Sequence, residues 1–183
     1  MNLSKPSSPL SLRQLNWDAL VLFTVTFWIS SSAFVDFLLM PMMYETGMMN
    51  EANFATAGYS LFWLFNRVEL LCAAAILSGL LALRQRRDQF DLIASGSQSR
   101  WAILLSGLLF VIALIYTYVL TPQMGALGIH LRDSSLLGGD LSEPVPQAMN
   151  TLHAVYWSLE AIKLVAAAWL VKLCYRDVAA MFQ

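Results

Sequence analysis

The chain has 183 residues, 58% of them hydrophobic and 13% charged, with a net charge of −1. Soluble domains carry roughly 25% charged residues, so an ordinary water-soluble fold is excluded, and a near-neutral balance leaves no electrostatic footprint for nucleic acid. Four long apolar segments within this length leave room for one small bundle and no separate soluble domain, which gives the expected class: an all-α polytopic membrane protein, a four-transmembrane-helix bundle.

Residues 1–16 hold three serines, two prolines, Lys5 and Arg13 without an apolar face, and read as a flexible cytoplasmic tail. The membrane domain is expected over 17–175, with helices at about 17–43, 58–83, 101–120 and 149–174, followed by a second cytoplasmic tail at 176–183. The first apolar segment continues too far past Ser31-Ser32-Ala33 to be a signal peptide cleaved there. It carries Asp36 and then Pro41, which is expected to end it, with Gly47 just beyond. The second segment, 58–83, is long enough at 1.5 Å per residue to make a helix of about 39 Å, yet it contains Asn66, Arg67 and Glu69. Each charge would cost roughly 2.5–3.5 kcal/mol facing lipid, so both are expected to point at protein or trapped water. The third segment is expected to stop at Thr121-Pro122, leaving 121–148 as the longest connection. The fourth carries His153, Trp157, Glu160 and Lys163.

Orientation follows from the basic residues. Lys5, Arg13, Arg84, Arg86, Arg87, Arg100, Lys172 and Arg176 fall on one side and only Arg132 on the other, which places both termini in the cytoplasm. The two halves also resemble each other. Pro41, Met43 and Gly47 recur as Pro122, Met124 and Gly128, and Glu69 and Glu160 are each followed by alanine-rich runs, so the chain reads as two duplicated helix hairpins in parallel orientation.

The intramembrane polar residues form the candidate site. Asp36 lies about 27 Å along its helix from Asp18, and Arg67 about 25 Å from Arg84, so the two are level and are expected to pair. Glu69, roughly 200° around the helix from Arg67, needs another partner, for which Lys163 is the candidate; Asn66 shares its side. His153, Trp157, Glu160 and Lys163 fall on one stripe of the fourth helix, expected to face inward. Three acids against two bases leave one carboxyl that keeps a proton or shares it with His153. A bis-histidine haem lacks its second imidazole, no Cys/His cluster suggests a metal, and no nucleotide loop or hydrolase motif is present, so neither cofactor nor catalysis is expected. Cys72 and Cys174 lie at different depths, and no disulfide is expected.

The Pro-ended first and third helices, the run Phe62-Trp63-Leu64-Phe65-Asn66-Arg67-Val68-Glu69 and the pair Leu152-His153 resemble a four-helix integral membrane family of unknown function that includes a human transmembrane protein linked to platinum-drug resistance. The resemblance spans roughly 17–175, and Pro41, Asn66, Pro122 and His153 match the family pattern. Arg67, Glu69 and the Glu160/Lys163 pair depart from it and suggest a specialised branch. The resemblance implies architecture, in a bacterial inner (plasma) or thylakoid membrane, and no reaction. The expected role is a non-catalytic accessory, assembly or stability factor of a membrane complex, in contact with the lipid bilayer and with other membrane proteins or a second copy. The alternative is a small proton or metal-cation transporter using the buried carboxylates.

Overall fold

A computed structural model of the chain describes residues 17–48, 54–90, 97–136 and 147–180. Apart from 46–48, every described residue is helical. Four rods result. The first joins α1 (Trp17–Phe34), a π-helical turn (Val35–Leu39) and α2 (Met40–Glu45); the second is α3 (Phe54–Phe90); the third joins α4 (Ser97–Ile115), another π turn (Tyr116–Leu120) and α5 (Thr121–Leu136); the fourth is α6 (Gln147–Ala180). Within them Trp17–Glu45, Thr56–Gln85, Arg100–Ile129 and Gln147–Arg176 are long and apolar enough to cross a membrane.

The rods exceed the sequence-based boundaries, most of all at the prolines. Neither Pro41 nor Pro122 ends its helix. Proline lacks an N–H and its ring crowds the carbonyl four residues back. Here a widened turn precedes each ring: Met40 N–H donates to Val35 O and Thr121 N–H to Tyr116 O, an i→i−5 pattern in place of i→i−4, while Met40 and Thr121 keep helical dihedrals. The first rod ends later, at Gly47, whose φ of 71° supplies the left-handed residue that favours glycine and whose N–H donates to Tyr44 O. The third rod runs on through residue 136, so much of the segment expected as a connection is helix, and α6 reaches Ala180 into the expected tail. Residues 1–16 and 181–183, expected as tails, lie wholly outside the described residues.

Each rod packs on its chain neighbours, and the fourth closes back on the first. Paired positions run antiparallel: Trp28 meets Glu69, Asn66 meets Thr121, Tyr116 meets Glu160, and Tyr156 meets Asp36. The first and third rods, and the second and fourth, are therefore diagonal and parallel. Small residues let the rods approach closely. Ala73, Ala113 and Ala167 are fully or almost fully buried, and a Cβ added at Gly79 would lie 2.5 Å from Val21 Cγ2.

The interior divides along its length. One half, toward Trp17, Gln85, Arg100 and Arg176, is apolar: Val21, Val25, Ile76, Leu80, Ala102, Leu109, Leu170 and Leu173 fill it. Next to it lies a polar belt drawn from all four rods. The outside is apolar as well, with Phe23 73%, Leu71 71% and Val165 66% exposed. Only 28–39% of each apolar window is buried, so most of its surface faces outward, as suits a hydrocarbon solvent and would aggregate in water.

Candidate functional site

The belt is built on Lys163. Its ammonium lies 2.5 Å from Glu69 Oε1 and 2.7 Å from Glu160 Oε2, with all three residues at most 2% exposed. Glu160 is three residues away on α6, whereas Glu69 sits on the diagonally opposite rod. A long lysine stem spans the bundle centre, where no backbone packs directly.

The carboxylates are held by neutral donors as well. Glu69 Oε1 also accepts from Trp28 Nε1 at 2.8 Å and Ser32 Oγ at 2.9 Å. Trp28, Ser32 and Asp36 recur every four residues, which puts them on one face of the first rod with Val21 and Val25. Glu160 Oε2 accepts from the Tyr116 hydroxyl at 3.0 Å. Asp36 Oδ1 accepts from the Tyr156 hydroxyl at 2.9 Å, and Tyr156 lies one helical turn before Glu160 on α6, which makes the two carboxyls neighbours in the belt. Asp36 Oδ2 and Glu160 Oε1 receive no donor. The rings of Tyr116 and Trp28 lie 5.3 and 6.0 Å from the Lys163 ammonium, within range of cation–π attraction.

Asn66 makes a separate polar link. Its Nδ2 donates to Thr121 Oγ1 at 2.5 Å, and its backbone oxygen accepts from Thr117 Oγ1 at 3.2 Å. The second rod is thereby fastened to the third at its π turn. The chain has an equivalent of Asp36 here: Thr117 holds the same place relative to Pro122 that Asp36 holds relative to Pro41.

Two expectations fail. Asp36 and Arg67 do not pair: Asp36 faces Tyr156 and Glu160, whereas Arg67 is only half-buried, donates to its own helix at Trp63 O at 3.0 Å, and lies with its guanidinium 3.5 Å from the centre of the Trp63 ring. Matched depth put them level, but Arg67 points away from the side on which Glu69 faces inward. His153 is also outside the cluster. It is exposed, with Nδ1 2.9 Å from Met149 O, and Trp157 is exposed too. The inward line of α6 is Tyr156–Lys163–Leu170, spaced by seven; at 100° per residue His153 lies roughly 80° and Trp157 roughly 120° around from Lys163.

The cluster therefore holds Asp36, Glu69, Glu160 and Lys163, with Asn66 beside it, and Arg67 and His153 outside. Trp28, Ser32, Tyr116, Thr117, Thr121 and Tyr156 complete the belt and were not singled out as site residues in the sequence. Their signal was available in the four-residue spacing of Trp28, Ser32 and Asp36 and in hydroxyls set within apolar runs. Among the described residues no three His, Cys, Asp or Glu side chains are grouped to hold a metal ion, and Cys72 and Cys174 are not disulfide-bonded. Comparison of the chain with protein-family models, curated proteins and solved structures gives no match.

Proposed function

We propose that this chain is an integral membrane protein crossing the bilayer four times with both termini in the cytoplasm, and that it serves as a non-catalytic accessory, assembly or stability factor of a membrane complex. The observation that carries this reading is the placement of Arg67. It is partly exposed on a bilayer-length helix, and among the described residues it forms no ion pair; its guanidinium lies over the Trp63 ring and donates to Trp63 O. A guanidinium on a lipid-facing surface is costly, and a carboxylate on a neighbouring membrane helix removes that cost. The acids inside the bundle are turned away from it and are held by Lys163 and neutral donors, in keeping with a polar core that fixes the helices rather than works on a substrate. The matching π turns before Pro41 and Pro122 support an origin by hairpin duplication.

The test is native purification of the parent and of Arg67→Leu, followed by identification of co-migrating proteins. A stable companion with the parent, lost in the variant, is the expected result. A parent that migrates alone, or a companion held equally by Arg67→Leu, overturns the Arg67 argument; in the first case the guanidinium is served by lipid headgroups.

A second reading, a small proton transporter, draws on a different observation: the belt contains three carboxyls and one ammonium, and two carboxyl oxygens without donors. Its test is proton flux in liposomes carrying the parent or Glu160→Gln. Flux abolished by the substitution supports it, and a parent without flux sinks it.

A further inference from the structure

We propose that Asp36 and Glu160 form a proton-binding dyad, one exchangeable proton being held between their carboxyl groups at neutral pH.

The two side chains come from adjacent antiparallel rods and are 2% and 1% exposed. Tyr156, which donates to Asp36 Oδ1, lies one turn before Glu160 on α6, so the two carboxyls are neighbours, and each has a fully buried oxygen that no donor reaches, Asp36 Oδ2 and Glu160 Oε1. Two neighbouring ionised carboxylates repel, and among the described residues the donors around them are aimed at their other oxygens: Tyr156 at Asp36 Oδ1, Tyr116 and Lys163 at Glu160 Oε2. A proton shared by the pair removes that repulsion and supplies the donor that the two oxygens lack.

The surroundings agree when each packed element is considered. The first rod contributes Asp36 itself, with Trp28 and Ser32 committed to Glu69. From the second rod come Glu69, which faces Lys163, and the buried thiol of Cys72 near it. The third rod contributes the neutral Tyr116, and α6 contributes Tyr156, Glu160 and Lys163. Arg67 is held over Trp63 outside the bundle, and His153 is exposed, so neither supplies charge to the dyad. Among the described residues Lys163 is the single buried cation for three buried acids, and a buried carboxylate pair with no second cation is neutralised by proton uptake. This assignment requires neither a partner nor transport.

Infrared spectroscopy of the full chain in liposomes tests it. At neutral pH the parent is expected to show the C=O stretch of a protonated carboxylic acid, shifted on transfer to D2O. Asp36→Asn should lose that band, because the amide places a permanent donor against Glu160, while Glu69→Gln should keep it. As a folding control, Asp36→Asn should melt like the parent at neutral pH and lose the alkaline fall in melting temperature expected of the parent. Absence of the band in the parent overturns the proposal, as does a band that survives Asp36→Asn or disappears with Glu69→Gln.

Discussion

Lys163 and Glu69 meet at 2.5 Å across the diagonal of the bundle, joining two parallel rods whose backbones do not pack on each other. The pair lies near the middle of both apolar spans, thirteen residues in from Thr56 at Glu69 and thirteen short of Arg176 at Lys163. Because Lys163 also holds Glu160, its removal strands two carboxylates at once. Lys163→Met is expected to destabilise the bundle by about 3–5 kcal/mol, the range for breaking a buried pair from one side. The double variant Lys163→Met/Glu69→Gln should recover part of that loss, giving a coupling energy of about 0.5–3 kcal/mol in thermal or denaturant unfolding in detergent. Additive effects would show that the diagonal contact contributes nothing to folding.

Asp36 and Arg67 provide the opposite case. Counting along the helices makes them level, but they belong to different environments, Asp36 against Tyr156 and Arg67 over Trp63. Asp36→Asn and Arg67→Leu should therefore combine additively, within about 0.3–0.5 kcal/mol, since the two side chains share no partner. A rescue of one substitution by the other in the same unfolding assay would restore the ion pair that depth alone suggests.

That contrast shows what could be read from the residues. Four spans and a Glu69–Lys163 pair follow from hydropathy and from the cost of burying charge, both of which depend on composition and coarse position. Depth also follows, because helix rise is constant. Facing is harder. Arg67 and Glu69 cannot both point at the centre, and choosing between them needs the directions of all four rods. The stripe through His153 and Glu160 is real as spacing, but the packed line is the one through Tyr156 and Lys163, fixed by neighbours that the sequence does not order in space. The prolines misled for another reason: rules calibrated on helix ends do not anticipate a π turn that keeps the rod intact.

Close approach of the first and second rods rests on Gly79. A methyl group there would sit 2.5 Å from Val21 Cγ2, too near for either rod to remain in place. Gly79→Ala is expected to cost about 1–3 kcal/mol, in the range of overpacking in a tight interior. Val21→Ala in the same chain removes the colliding methyl groups and should return most of that loss. If Gly79→Ala melts like the parent, the two rods are farther apart than this contact requires.

Topology gives a prediction independent of the interior. With eight basic residues on one side and Arg132 on the other, a reporter fused to the C-terminus should be cytoplasmic. A cysteine introduced at Ser135, in a background with Cys72 and Cys174 replaced, should react with impermeant thiol reagents from outside intact cells. Labelling only after rupture of the membrane reverses the orientation and leaves the bundle itself untouched.

The continuity of the proline-containing rods is open to direct measurement. Leu104 and Ile129 are both exposed on the third rod, on either side of the π turn and Pro122. An unbroken helix between them spans 25 residues, or about 37 Å at 1.5 Å per residue. Spin labels at these two positions should give a single narrow distance distribution near that value, allowing for the length of the labels. A helix that stopped at Thr121 would let the following segment turn back, giving a shorter and broader distribution. Pro122→Ala sharpens the test, since alanine restores an N–H that can reach Tyr118 O and removes the ring that the π turn accommodates. The variant should keep the long distance with a small shift as the turn tightens toward α-helical geometry; a collapse of the distance would mean that Pro122 itself holds the two halves in line.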